Sequence, residues 1–228
     1  MDTKPKIITV TNQKGGCGKS TISLTLADGL LRKGHRVLVI DTDTQNSSVD
    51  WAATATLHDC NRPDVISISR PSIDAELSQY QDYDYIVIDS ISGIQGFSIQ
   101  LVASIIKSAD LVLIPIIPAP VDIWGTIKTI EMVKQRRAHT GGSPETYFLM
   151  NRTRPNTILK SAVKDALDGS GLPVLQTEIS QAEIIPKLIG EGKTIFSAPD
   201  SNKNKQRAIA LLDEIEEIFK YERNNCIA

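Results

Sequence analysis

Two lysines, three glycines, a cysteine and two hydroxyl residues are packed into one stretch, Lys14-Gly15-Gly16-Cys17-Gly18-Lys19-Ser20-Thr21. That mixture suits the binding of a polyphosphate. Glycines let consecutive backbone N–H groups turn inward onto phosphate oxygens. A helix that begins at the same point aims the positive end of its dipole at the anion. Lys19 would then reach the β- and γ-phosphates, Ser20 would offer its hydroxyl to Mg²⁺, and Thr21 would bond the α-phosphate. The plain alternative is a glycine-rich turn with no ligand. The apolar run before the stretch and the helical pattern after it favour the phosphate loop. The common form of this loop is Gly, four residues, then Gly-Lys-Ser/Thr. Here Gln13 stands where the first glycine would be, and Lys14 follows it.

Further polar groups stand at the ends of apolar runs. Asp41-Thr42-Asp43-Thr44-Gln45 follows Val37–Ile40, Asp89 follows Ile86-Val87-Ile88, and Asn151-Arg152 follows Tyr147–Met150. Open α/β sheets bind ligands at the carboxyl ends of their strands. Two carboxylates two residues apart, as in Asp41 and Asp43, can both face such a site. The simpler reading of Asp43 or Thr44 is a helix N-cap, and that of Asn151 is a turn residue.

The elements that must hold these groups are legible as periodicity. Short apolar runs at Ile7–Thr11, Val37–Ile40, Val65–Ile68, Tyr85–Ile88, Leu111–Ile114, Tyr147–Met150 and Val174–Ile179 are expected as strands. Helices are expected over Ser20–Lys33, closed by Gly34, and over Ser47–Thr56, Ile73–Gln81, Gly96–Ser108, Val121–His139, Thr157–Asp168 and Asn202–Tyr221. Continuous apolar strands that alternate with helices predict an α/β fold, a mostly parallel twisted sheet with helices on both faces. Pro115–Pro120 (PIIPAP) is expected as a loop after a strand. The length, 228 residues, predicts one domain over 1–228.

The composition, 41% hydrophobic and 23% charged with a net charge of -2, is that of an ordinary globular chain. Cys17, Cys60 and Cys226 are too scattered for a disulfide framework or a zinc site, which fits a reducing cytoplasm. No signal-peptide layout and no membrane-length apolar run is present.

The Lys14–Thr21 stretch resembles the deviant Walker A loop of the MinD/ParA superfamily of P-loop ATPases. The resemblance runs from Ile7 to about Phe219. It is most specific at that loop, at Asp41–Gln45 and at PIIPAP followed by Asp122. It implies Mg²⁺-dependent hydrolysis of ATP to ADP, with Lys14, Lys19 and Asp43 in catalytic roles. Lys14 would cross a dimer interface to the partner's nucleotide, coupling hydrolysis to ATP-dependent homodimerisation. Asp43 would orient the attacking water. Ser20 would ligate Mg²⁺ directly, and Asp89, in the Walker B position, and Asp41 would act through water. Asn151 would bond adenine, with Phe196–Asp200 beside the base. The family's proline after Asp43 is Thr44 here, and Ile91 and Gly93 replace its usual spacing after Asp89, so Ser90–Gly96 is expected to sense the γ-phosphate.

Within that superfamily, Gln45–Trp51 is similar to the small plasmid partition ATPases. The resemblance implies nonspecific DNA binding in the ATP state, association with the nucleoid, and a small centromere-binding partner of the ParB or ParG kind. Candidate DNA contacts are Lys203, Lys205, Arg207, Lys187 and Lys193, with Arg152, Arg154 and Lys160 further possibilities. The chain starts almost at its first strand, so operator binding through an N-terminal helix-turn-helix is not expected. The acidic final helix, with Asp213, Glu214, Glu216, Glu217 and Glu222, speaks against membrane cycling. No cysteine follows Asp89 where a cluster ligand would stand. Positioning of another cargo, such as a chemoreceptor cluster or microcompartment, or a small-molecule ATPase or kinase, remain the alternatives.

Overall fold

A computed structural model describes residues 4–93, 96–155 and 158–225. Cys226, Thr157, and Ile94 and Gln95 of the Ser90–Gly96 segment lie outside them, as do the side chains of Lys160 and Glu222.

Six parallel strands form one sheet: β1 (Lys6–Val10), β2 (Val37–Asp41), β3 (Asp64–Ser67), β4 (Tyr85–Asp89), β5 (Leu111–Ile116) and β6 (Glu145–Met150), in the order β3-β2-β4-β1-β5-β6. The helices are α1 (Lys19–Arg32), α2 (Ser47–Leu57), α3 (Ile73–Glu76), α4 (Phe97–Ser108), α5 (Pro120–Trp124), α6 (Ile127–Thr140), α7 (Ile158–Asp168), α8 (Ile184–Gly190) and α9 (Lys203–Asn225). Strands bury both faces, so side chains of alternate parity enter different cores. Val37 and Val39 meet α1 and α9 on one face, with Ile8 and Val87. Leu38, Ile40, Ile86 and Ile88 meet α3 and α4 on the other. Val112, Ile114 and Phe148 pack beside them with α4, α6 and α7. Two covered faces explain why the strands read as unbroken apolar runs.

The sheet order sets up the site. The chain runs outward from β1 to β2 and β3, then returns to insert β4 between β2 and β1. The C-terminal ends of β2, β4 and β1 thereby lie side by side, with Asp41 opposite Asp89 and Asp89 opposite Val10.

Four expectations need correction. Val174–Ile179 does not form a strand. It touches β6 through a single bridge, Phe148 with Val174, and through the Ile179 N–H on the Met150 carbonyl, with a second bridge just beyond, Thr153 with Ser180. The carboxylate of Glu214 on α9 takes the Gln176 and Thr177 N–H groups at 2.7 and 3.0 Å, and that of Thr177 is the one a ladder with β6 would need between Leu175 and Ile179. The helix expected over Val121–His139 is two helices. They break at Gly125 and Thr126, where the buried Thr126 hydroxyl donates to the Asp122 carbonyl at 2.7 Å and accepts from the Asn12 amide. The helix expected over Ile73–Gln81 is one turn, α3, followed by a 3₁₀ turn.

Pro115, expected in a loop, lies inside β5. Leu113 faces β1, because its carbonyl accepts from Thr11, and Pro115 two residues on faces the same way. β1 has ended by then, so the missing proline N–H costs no ladder bond, and the Pro115 carbonyl instead accepts from Asn12.

α8 is an element that sequence patterning missed, because Pro186 suggests a breaker. The proline sits in the first helical turn, where its absent N–H is harmless.

Candidate nucleotide-binding site

The loop from β1 to α1 is held open by backbone geometry. Gly16 and Gly18 have φ of 77° and 99°, in the left-handed region that L side chains avoid. At Gly18 there is a second reason for glycine. A Cβ there would stand 2.2 Å from the side-chain nitrogen of Asn151. That same amide donates to the Cys17 carbonyl at 2.8 Å, so the end of β6 is tied directly to the loop. The Cys17 thiol is buried under the loop and donates to the Lys14 carbonyl, and burial pushes its pKa up. A thiol so held fills space and is inert.

Lys19 is buried at the start of α1. Its ammonium donates to the Ser92 hydroxyl at 2.7 Å and to the Lys14 carbonyl at 3.4 Å. Ser92 in turn donates its backbone N–H to Asp43 at 3.2 Å, and Gly93 donates to the Gln13 carbonyl at 2.9 Å. The segment after β4 is therefore tied to the phosphate loop and to the Asp43 turn at once. A cavity of about 260 Å³ opens here, lined by Gly16, Gly18, Lys19, Ser20, Thr21 and Asp43 among others.

Asp41 and Asp89 are buried next to each other on β2 and β4. Asp41 accepts from the backbone N–H groups of Asp43 and Ser48 at 3.0 and 2.8 Å. Asp41 thus anchors the start of α2, a task expected of Asp43 or Thr44. Asp89 accepts from the Ser48 hydroxyl at 2.8 Å and from Ser23 at 3.5 Å. Burial raises the pKa of Asp41, against the pull of its backbone partners. Asp89 is pushed up to about 7 by burial and then by the charge of Asp41, with hydrogen bonds from Ser20 and Ser48 opposing.

These oxygens fit Mg²⁺. Two buried carboxylates with raised pKa are relieved by a divalent cation. One carboxylate and one hydroxyl suit an ion that keeps most of its water and takes phosphate oxygens for the rest.

A second cavity of about 300 Å³ adjoins the loop. It is lined by Gly18, Thr21, Asn151, Arg152 and the Ile179–Pro186 segment, and its position beyond the phosphate groove suits a base and sugar. Phe196, by contrast, packs into the core, where a Cβ on Gly29 of α1 would lie 2.7 Å from its ring. The flank of this pocket is the Ile179–Pro186 segment. Patterning gave no hint of it, because its residues come together only through the bridge to Thr153.

Arg152 lines both cavities, with its backbone at φ 52° and its N–H donated to the Asn151 side chain. A non-glycine residue held in that region is strained. Arg152, expected as a further DNA contact, is thus an exposed cation between the two cavities.

Lys14 lies on the outer rim. Its ammonium is 3.9 Å from the Asp122 carboxylate, and its stem rests on Gly125, where a Cβ would come within 3.1 Å of it. Of the proposed DNA contacts, Lys205 pairs with Asp200 at 2.7 Å, Lys193 with Glu191 at 3.2 Å and Arg207 with Glu178 at 3.7 Å, while Lys187 and Lys203 are exposed. The acids of α9 are also engaged, since Lys33 bonds Asp213 and Glu216. The apolar stripe of α9, Leu211, Leu212, Ile215 and Phe219, is buried in the core. Among the described residues no helix is long and apolar enough to cross a membrane.

Comparison with known proteins agrees with this fold. Residues 8–195 match the model of the CobQ/CobB/MinD/ParA nucleotide binding domain. The maintenance of carboxysome distribution protein A of Halothiobacillus neapolitanus is 30% identical over 193 residues, 83% of this chain and 86% of that protein. Protein ParA of Rhizobium radiobacter is 24% identical over 210 residues, 89% and 90% of the two chains. The structure of the septum site-determining protein MinD with Mg-ADP, from Pyrococcus horikoshii, superposes with a TM-score of 0.70 at 21% identity, covering 94% of this chain and 97% of that one. The chain belongs to the CobQ/CobB/MinD/ParA nucleotide-binding family and is an ATPase of its MinD/ParA kind.

Proposed function

We propose that ATP closes two copies of this chain into a dimer that positions a cargo over nonspecific DNA, the cargo being a plasmid or other DNA segment. The observation that carries the reading is the place of Lys14. Its ammonium lies 3.9 Å from Asp122, while the loop cavity is lined by Lys19 and its neighbours and not by Lys14. A cation so placed serves a nucleotide on a facing copy better than its own.

On this reading the backbone of Gly15, Gly16, Cys17 and Gly18 cradles the β-phosphate, Lys19 exchanges Ser92 for the β- and γ-phosphates, and Thr21 bonds the α-phosphate. Ser20 would hold Mg²⁺ directly, and Asp89 and Asp41 would act on it through water. When bound, the ion would supply charge stabilisation to a transferring phosphoryl group. Asp43 gives up the Ser92 N–H and orients the attacking water. Asn151 and Arg152 flank the base. Lys14 of each copy neutralises charge on the other's γ-phosphate, so hydrolysis waits on dimerisation. Lys187 and Lys203 remain the better DNA candidates, with Lys193, Lys205 and Arg207 contributing only where phosphate displaces their carboxylates. A small centromere-binding protein of the ParB or ParG kind would stimulate turnover, in the cytoplasm and over the nucleoid, without a membrane step.

A second reading has its own support. The relative at 30% identity is named for carboxysome distribution, which supports a protein compartment with its own adaptor as the cargo. One experiment serves both. Retention of a random-sequence duplex should require ATP, fail with ADP and weaken steeply with salt. Retention independent of nucleotide would sink both. A plasmid-loss assay then separates them, because a compartment-positioning ATPase leaves plasmid inheritance unchanged.

A further inference from the structure

α4 and α6 run side by side from the nucleotide edge of the sheet to the opposite edge, where β5 and β6 begin. Near that far edge they leave a groove of about 380 Å³ between them. Ala103, Ile106 and Met132 give it an apolar lining. Ile99, one turn before Ala103 on α4, is exposed and continues the apolar line. Lys107, Arg136 and His139 add cationic or titratable nitrogens, and among the described residues no carboxylate lines the groove. α6 carries Lys128, Lys134, Arg136 and Arg137 against one acid, Glu131, in a chain whose net charge is -2. Some of the cations nearby have local tasks. Lys107 bonds Asp74 at 2.6 Å, and Arg137 donates to the Pro144 carbonyl and lies 3.9 Å from Glu145. Arg136 has no task of that strength. Its Nε is buried without a hydrogen-bond partner among the described residues, and its guanidinium reaches the Lys107 carbonyl only at 3.5 Å. A buried charged donor normally has its acceptor beside it. This one lines an open groove instead.

We propose that the α4–α6 groove seats an acidic amphipathic helix of a partner protein. Two packed helices leave a furrow along their contact, and a third helix fills such a furrow with apolar residues at i, i+3, i+4 and i+7. The apolar stripe of the incoming helix meets Ala103, Ile106 and Met132. A glutamate or aspartate on its flank meets the Arg136 guanidinium and supplies the charge that this chain does not. Met132 suits the role, because an unbranched thioether adapts to different partners. Duplex DNA fits less well, since phosphates gain nothing from an apolar lining. The groove lies at the far edge of the sheet from Lys14 and Lys19, so the proposal does not depend on the dimer reading. A helix seated there leaves the phosphate groove free, and the ATPase can stay tethered to a partner while its nucleotide turns over.

The probe is a display library of short helical peptides, with leucines fixed at i, i+3, i+4 and i+7 and the flanks randomised, selected on the full chain with Mg-ADP. The recovered peptide is then labelled and titrated by fluorescence anisotropy against wild type, Ala103→Trp, Ala103→Ser and Arg136→Gln. The selected flanks should be rich in aspartate and glutamate. Ala103→Trp should fill the groove and abolish binding, while Ala103→Ser should keep it. Ala103 is exposed, so neither change disturbs the core. Arg136→Gln should weaken the peptide by about tenfold, as expected for the loss of one charge-assisted contact. Affinity for ADP should be the same in all four proteins. A library that yields no binder, or yields lysine-rich flanks, overturns the proposal. So does a peptide that binds Ala103→Trp as tightly as wild type. A random-sequence duplex that binds where the peptides do not, and that Ala103→Trp and Arg136→Gln both weaken, assigns the surface to nucleic acid and also overturns it. Each of these failures leaves the reading of Lys14 standing.

Discussion

The Lys14 ammonium and the Asp122 carboxylate meet at 3.9 Å across the turn between β5 and α6, with the lysine partly exposed and the aspartate buried. A pair this long and this wet contributes little to folding, about 0–1 kcal/mol. Its significance is positional, since it parks a cation at the rim of a phosphate groove. Asp122→Asn should therefore shift the melting temperature by no more than about 2–4 °C. Nucleotide affinity of the monomer should be unchanged. A loss of ATP binding in a folded Asp122→Asn protein would show that Asp122 serves its own nucleotide.

Gly18→Ala combines a disfavoured φ of 99° with a contact of 2.2 Å to the Asn151 amide. The strain alone is on the order of 1–3 kcal/mol. The variant should melt several degrees lower and bind ATP at least tenfold more weakly. Adding Asn151→Ala should restore part of the stability, because it removes the clash but not the φ. Titration calorimetry with thermal melts of the single and double variants decides the matter. No recovery at all in the double variant would assign the whole cost to the backbone.

Arg152 touches both the base pocket and the phosphate groove. Arg152→Ala should weaken ADP and ATP binding by about five- to thirtyfold, the range for losing one charge-assisted contact of about 1–2 kcal/mol. DNA retention measured at saturating ATP should change little. The reverse pattern, normal nucleotide affinity with lost DNA retention, would return Arg152 to the DNA surface.

Asp89 gives a pH dependence whose sign is fixed. Its pKa in the folded chain is pushed up to about 7 by burial and by Asp41, above the ordinary carboxylate value. The folded chain thus holds this proton more tightly than the unfolded one. The stability that results is complete at acid pH and is lost as pH rises from about 4 through about 7. Without nucleotide or Mg²⁺, Asp89→Asn should melt higher than wild type near pH 8, with the gap closing as the pH approaches about 5. Mg-ATP should stabilise wild type far more than the variant. A gap that widens toward acid would show Asp89 to be ionised throughout.

Much of this was legible in the residues. The strands at Val37–Ile40 and Tyr85–Ile88 announced themselves because both faces of the sheet are covered. The loop at Lys14–Thr21 did so because its glycines and lysines stand between a strand and a helix. What escaped was set by long-range contacts. Pro115 lies in a strand only because β1 stops short of it. Val174–Ile179 is interrupted as a strand where Glu214, on α9, captures the Thr177 N–H. Arg152 looked like any surface cation until the end of β6 was placed beside the loop. The cations at Lys193, Lys205 and Arg207 read as a patch in sequence, yet each has a carboxylate beside it in space.

The most direct test is sedimentation velocity of wild type and Lys14→Ala with Mg-ADP and with a nonhydrolysable Mg-ATP analogue, after titration calorimetry has shown that both bind nucleotide. Wild type should be a monomer with ADP and a dimer with the analogue, and Lys14→Ala should bind the analogue and stay a monomer. A Lys14→Ala protein that dimerises as readily as wild type would contradict the account at its centre.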